Sequence, residues 1–267
     1  MDVATVYGLK SFIFFHDKLW MMPERAEEPF VQVIADHIES KNPIILGGFP
    51  GMGLVGNIVG QYLIEQLDMK PCGRVDSKLF PPIAILYGGL VKGPVRIYES
   101  VEKNLIVIFS DIPIDPIISR EIGGGIVRWA KELQPREIIS LAGLATTGEE
   151  HKVFGAATTQ EGLDRIKGTL EIFEMGTITG VPGVIMNECM NHGIDGICIL
   201  GETRGPSPDP RASIEVVKAM NRLYGFNVDI KLMEEQAEEI EKVLHKLSEQ
   251  IGEAEARQSP KDLPMYG

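Results

Sequence analysis

Pro43-Ile-Ile-Leu-Gly-Gly-Phe-Pro-Gly-Met-Gly-Leu-Val-Gly-Asn57 is the stretch that decides the fold of this chain. Residues 44–46 form a short apolar run that reads as a buried strand. Five glycines then crowd a tight turn, and residues 54–67 read as a helix packed back on the strand. Strand, glycine turn and helix in that order open an α/β domain. Gly51, Gly53 and Gly56 also take the spacing G-x-G-x-x-G, which in a dinucleotide-binding domain lays a pyrophosphate on backbone N–H groups at a helix N-terminus. Such a site needs an acidic residue about 20 positions on, at the end of the next strand. Asp68 and Asp76 are near, but neither falls at a convincing strand end, and Pro50 distorts the turn. The glycines therefore read first as residues of sharp turning and close packing. No G-K-[ST] follows, so the turn is not a Walker P-loop.

Working outward, strands and helices alternate over residues 40–225. Residues 74–80 and 83–87 read as strands broken by Pro81-Pro82, residues 95–98 (V-R-I-Y) alternate as a half-buried strand, and residues 105–109 (L-I-V-I-F) are a continuous core run. Their close spacing implies antiparallel neighbours beside a parallel set. Residues 116–133 carry a helical stripe, Ile118, Ile122, Ile126, Trp129 and Leu133, with Gly123-Gly-Gly125 inside it. Each glycine costs a helix about 1 kcal/mol relative to alanine, so the three mark close approach to a neighbouring element or subunit. Further strands are expected at 137–141, 153–158, 170–173 and 197–200, and helices at 185–191 and 213–224; residues 29–38 declare neither type. The expected fold class is α/β, a three-layer α/β/α sandwich with a mixed sheet.

The organisation reads as an N-terminal extension (1–28), a core domain (29–228), a coiled-coil-like helix (229–252) and a flexible tail (253–267). The extension is oily at Phe12-Ile-Phe-Phe15 and Leu19-Trp-Met-Met22, yet His16, Asp17 and Lys18 interrupt it and no small-residue cleavage site follows, unlike a signal peptide. The C-terminal helix places Ile230, Met233, Ala237, Ile240, Leu244, Leu247 and Ile251 in an unbroken 3-4-3-4-3-4 series, with the remaining positions strongly charged. Two readings fit: a seam pairing with another copy, or one helix packing on its own domain.

Net charge is −12 and the isoelectric point near 5.0, which argues against nucleic-acid or anionic-membrane partners. No apolar run approaches the roughly 18 residues needed to cross a bilayer. Cys72, Cys189 and Cys198 make no C-x-x-C pair and no ligand spacing with the five histidines, so no metal or cofactor is expected and a reducing cytoplasm fits. No G-x-S-x-G elbow occurs. Asp111 and Asp115 flank Ile112-Pro-Ile114 at a strand's end, either as an acid/base pair or as a helix cap. A nucleotide-binding or hydrolytic enzyme using the Gly51–Gly56 turn and Asp111 is the alternative to a binding protein. Met265-Tyr266-Gly267 ends the chain on a leash, and an aromatic hydroxyl beside a free carboxylate suits a pocket between two subunits.

Several stretches resemble the archaeal members of the proteasome-assembly chaperone family: residues 47–57 quoted above, Val75-Asp-Ser-Lys-Leu-Phe-Pro-Pro82, Gly93-Pro-Val-Arg-Ile-Tyr98, Ser140-Leu-Ala-Gly143, and Gly180-Val-Pro-Gly183 leading to Gly193-Ile-Asp-Gly-Ile-Cys-Ile-Leu-Gly-Glu-Thr203. The match spans residues 40–225 in consistent order. The resemblance implies a phosphorylase-like α/β sandwich, a homo-oligomer (a tetramer or another small ring), and no known catalytic residue or cofactor. It also implies docking on the α ring of the 20S proteasome through a C-terminal hydrophobic-tyrosine-any motif, matched here by Met265, Tyr266 and Gly267. By that resemblance Met265 packs on the pocket wall, the Tyr266 hydroxyl hydrogen-bonds within it, and the Gly267 carboxylate meets a pocket lysine. Residues 1–22 have no counterpart in it.

Overall fold

The computed structural model describes residues 30–148 and 150–238, with the backbone of two short strands before them. Those strands, β1 (Phe14–Phe15) and β2 (Lys18–Leu19), pair antiparallel in a first unit, residues 1–30. Residues 31–267 form the second unit.

The second unit contains, in order, β3 (Val31–Ala35), β4 (Ile44–Gly48), α1 (Val55–Gln66), β5 (Lys70–Ser77), β6 (Ile85–Tyr87), β7 (Leu90–Lys92), β8 (Val95–Ser100), β9 (Leu105–Ser110) and α2 (Pro116–Glu132). Then follow β10 (Glu137–Ala145), β11 (Val153–Ala157), α3 (Gln160–Ile166), β12 (Glu171–Ile172), α4 (Gly180–His192), β13 (Gly196–Thr203) and α5 (Pro210–Tyr224). Nine strands form one mixed sheet in the order β12-β11-β13-β10-β4-β9-β8-β5-β3. Strands β13, β10, β4 and β9 run parallel at its centre, and β8, β5 and β3 continue antiparallel on one flank. The parallel strands are mostly apolar because helices cover both faces, with polar side chains such as Glu137, Glu202 and Thr203 near their ends. Within β4, Ile44 and Leu46 join the core beneath α1 and α5, while Ile45 joins the core beneath α2 and α4. Each such fully buried side chain contributes about 1.5–3 kcal/mol relative to exposure.

Several boundaries differ from the sequence-based expectation, each for a local reason. Helix α4 starts at Gly180 rather than 185, because Pro182 lies in the first turn, where its missing N–H removes no intrahelical bond. Helix α5 starts at Pro210, with the Asp209 side chain accepting from the Ala212 amide at 3.0 Å. Strand β5 begins four residues earlier than expected and carries an irregularity between Pro71 and Gly73. Residues 31–35, undeclared in sequence, form an edge strand whose outer side chains are exposed.

The glycine triplet in α2 is explained within the chain. A Cβ at Gly123 would lie 2.7 Å from Val184 Cγ1 on α4, and one at Gly125 would lie 2.7 Å from Val31 Cγ1 on β3. After α5, Asn221 clamps Val228 from both sides, its amide donating to the Val228 carbonyl at 2.8 Å and its oxygen accepting from the Val228 amide at 3.0 Å. The Tyr62 hydroxyl donates to the Asp229 carbonyl at 2.6 Å. Residues 231–238 are helical. Met233 (3% exposed) and Ala237 (0%) are buried against this chain's own core, with Ile230 packed beside them.

Candidate functional site at the carboxyl edge of the sheet

In open α/β sheets, ligands and partners meet the carboxyl ends of the parallel strands, and here the glycine turn builds that edge. After β4 the chain turns through Phe49-Pro50-Gly51 into a single 3₁₀ turn, Met52–Leu54, and then α1. Gly53 has φ +62°, and a Cβ there would lie 2.6 Å from Thr203 Oγ1 at the end of β13. A Cβ at Gly56 would stand 3.0 Å from the Leu141 carbonyl oxygen of β10. The glycines thus let α1 press on the ends of two neighbouring strands. Between these elements lies a cavity of about 330 Å³, lined by Phe49, Met52, Ile114, Leu141, Ile178 and Val181 among others, with no charged side chain. Of the lining residues, Met52 is 40% exposed.

At the end of β9 stands a buried ion pair. Arg96 Nη2 lies 2.7 Å from both Asp111 carboxylate oxygens. Arg96 Nη1 donates to the Tyr98 hydroxyl at 2.6 Å, and Nη2 also donates to the Tyr87 hydroxyl at 3.1 Å. The Tyr87 hydroxyl in turn donates to Asp111 Oδ1 at 2.8 Å, and the guanidinium carbon sits 4.3 Å from the Tyr87 ring centre. Both ion-pair side chains are about nine-tenths buried, at 10% and 12% exposed. Burial works against the Arg96 charge, and the surrounding tyrosines and carboxylate hold it on.

A second polar group stands at the ends of β10 and β13. The Glu202 carboxylate accepts from the Thr146 hydroxyl at 2.6 Å and the Lys152 amide at 3.1 Å. The Thr146 donation holds its carboxyl below the usual range. Next to it, Thr203 Oγ1 donates to Asp209 Oδ2 at 2.8 Å, with His151 Nδ1 3.8 Å from the same oxygen. At the opposite end of β10, Glu137 is fully buried against Arg165; burial pushes its carboxyl up, and Arg165 and Arg136 oppose that shift.

The residues singled out in sequence are distributed as follows. Asp115 caps α2, accepting from the Ile117 amide at 2.8 Å, and Asp111 is engaged by Arg96 and Tyr87, so the two do not form an acid/base pair. In the Gly51–Gly56 turn, Gly53 and Gly56 are taken up in close packing, whereas Gly51 is exposed with no atom within 4 Å of a Cβ built there. Among the described residues no group of three or more His, Cys, Asp or Glu side chains could hold a metal ion. The three cysteines are buried, and burial pushes each thiol up to about 12. Of the C-terminal seam, Ile230, Met233 and Ala237 pack on their own domain; Ile240, Leu244, Leu247 and Ile251 lie outside the described residues, as do Met265, Tyr266 and Gly267. Arg96 was legible in principle: it shares one face of an alternating strand with Tyr98, and an aspartate ends the strand that follows. Glu202 and Asp209 gave no such signal, because their partners lie 56 positions away in sequence or across a proline-rich loop.

The PAC2 family model matches residues 45–248. An uncharacterized protein of Methanocaldococcus jannaschii is 35% identical over 229 residues, covering 86% of this chain and 94% of that protein. The crystal structure of Pyrococcus furiosus PbaA, an archaeal homolog of proteasome-assembly chaperone, superposes with a TM-score of 0.78 at 33% identity over 86% of this chain and 96% of PbaA. PbaB of the same organism, an archaeal proteasome activator, shares the fold at a TM-score of 0.72 and 24% identity, over 83% of this chain and all of PbaB. With both a family model and a one-third-identical structure running through the glycine turn, the central strands and α5, this chain belongs to the PAC2 family.

Proposed function

We propose that this protein is a non-enzymatic proteasome-binding protein, an assembly chaperone or ATP-independent activator, that docks on the α ring of the 20S particle in the cytoplasm. The observation that carries this reading is the likeness to PbaA over nearly the full length of both chains. The side-chain chemistry agrees with it. The carboxylates at the carboxyl edge are engaged in an ion pair, a helix cap and hydrogen bonds rather than poised on an open site. Docking is assigned to Met265, Tyr266 and Gly267, the last three residues of the sequence. The seam positions Ile240, Leu244, Leu247 and Ile251 are assigned to a helix that carries the tails away from the core and pairs with its counterpart in a homo-oligomer. Several tails on one oligomer raise affinity well above that of one tripeptide, because the first contact holds the others at high effective concentration.

The test is co-migration of the full-length protein with archaeal 20S particles on a sizing column. Wild type is expected to co-migrate, and a chain lacking residues 265–267 to elute alone. Unchanged co-migration of the shortened chain would remove the tail from the account.

A further inference from the structure

The cavity at the carboxyl edge plays no part in docking through the C-terminus, yet its place and its lining suit a ligand. Strands β4 and β9 are parallel neighbours. The chain leaving β4 enters α1, which packs in one core layer, and the chain leaving β9 enters α2, which packs in the other. Where adjacent strands send their connections to opposite faces a crevice opens, and open α/β sheets bind ligands in it. Phe49 and Met52 from the first connection and Ile114 from the second all line the cavity. Its volume of about 330 Å³ falls within the roughly 300–1,000 Å³ of small-molecule sites.

The lining selects the chemistry. It contains no Asp, Glu, Lys, Arg or His. Burying a charge without a partner is costly, so the lining favours a neutral ligand. A phosphate would call on free amides at a helix N-terminus, and at the entrance to α1 two are already engaged: the Leu54 amide donates to the Gly51 carbonyl at 3.0 Å, and the Val55 amide to the Met52 carbonyl. In α4 the Thr179 side chain makes no capping hydrogen bond, and Pro182 has no amide proton to give. Gly180 and Val181, both in the lining, are the donors of that first turn. The walls thus combine a broad apolar surface with donors enough for one acceptor oxygen.

We propose that this cavity binds a small uncharged molecule with an apolar body and a single hydrogen-bond acceptor, of the ketone or amide kind, set against the first turn of α4. The site is a function beyond proteasome docking and does not depend on it.

Fluorescence titration of the full-length chain with prodan, a neutral naphthalene ketone, tests it. Saturable, blue-shifted emission with one site per chain is expected, and the anionic dye anilinonaphthalene sulfonate is expected to bind weaker by about tenfold or more. Ala142 is a lining residue, so Ala142→Phe places a phenyl ring in the ligand's space and is expected to abolish the signal with native mass unchanged. Thr177→Phe, at an exposed lining position where no core packing is disturbed, is expected to weaken prodan binding as well. Leu86→Asp/Val91→Asp, on the exposed β6–β7 pair, is expected to leave binding intact, which separates the cavity from a surface apolar patch. No saturable signal, a signal kept by both phenylalanine variants, a signal lost with Leu86→Asp/Val91→Asp, or equal binding of the sulfonate overturns the proposal. A chain lacking residues 265–267 is expected to bind prodan as wild type does while losing proteasome co-migration, so the failures of the two proposals are separable.

Discussion

Arg96 ties three side chains together at the carboxyl edge. Its guanidinium serves Asp111, Tyr98 and Tyr87 at once, so truncation strands a buried carboxylate and removes one of the anchors of Tyr87 on β6. Breaking one partner of a buried pair costs about 3–5 kcal/mol. At roughly 2–4 °C per kcal/mol for a domain of this size, Arg96→Ala is expected to lower the melting temperature on the order of 10 °C by calorimetry. Tyr87→Phe, which keeps the ring on the guanidinium, is expected to lower it far less. Glu202 supplies a pH-dependent counterpart. Its folded carboxyl titrates below the ordinary value of 4.5, so the folded chain binds fewer protons than the unfolded one. Its contribution is therefore complete above that value and is lost as pH falls through the lower, folded one. Glu202→Gln is expected to destabilise the protein at pH 7 and to match wild type in a melting series carried below the folded value; an equal deficit at both ends would exclude the ionised carboxylate as the cause.

At the scale of elements, helix α2 shows how far glycine can be read without a structure. The triplet implied close approach, and two of its three members deliver it, each to a different neighbour. Gly124 does not: a Cβ there meets only the end of the Arg128 side chain, at 3.1 Å. Alanine improves helix propensity by about 1 kcal/mol, and that gain is free to appear at Gly124. At Gly123 the added methyl would stand 2.7 Å from Val184 and force α2 off α4, at a typical cost of 1–3 kcal/mol. Gly124→Ala is expected to raise the urea midpoint and Gly123→Ala to lower it. The parallel core strands were legible for the same local reason, since apolar runs such as 105–109 need no partner to be recognised. Helix α3 and strand β7 were missed: α3 is one short polar stretch started by a Thr159 cap, and Leu90–Lys92 is three exposed residues after a Gly-Gly turn.

For the molecule as a whole, the α/β class and mixed sheet followed from alternation of strand and helix patterns, whereas the carboxyl-edge site did not. Its cavity and the Thr146–Glu202 contact join residues far apart in sequence, and only the closed sheet brings them together. The C-terminal repeat shows the limit of periodicity: spacing near 3.5 serves a seam between copies and a helix packed on its own core equally well, and Met233 and Ala237 take the second course. The central claim is multivalent docking through the C-terminus. Equilibrium binding of the full-length protein to immobilised archaeal 20S particles tests it most directly, compared with Tyr266→Ala and with a free peptide of residues 258–267. Tight binding by wild type, with a loss of tenfold or more for both Tyr266→Ala and the peptide, is the predicted result. Equal affinity of wild type and Tyr266→Ala would contradict it.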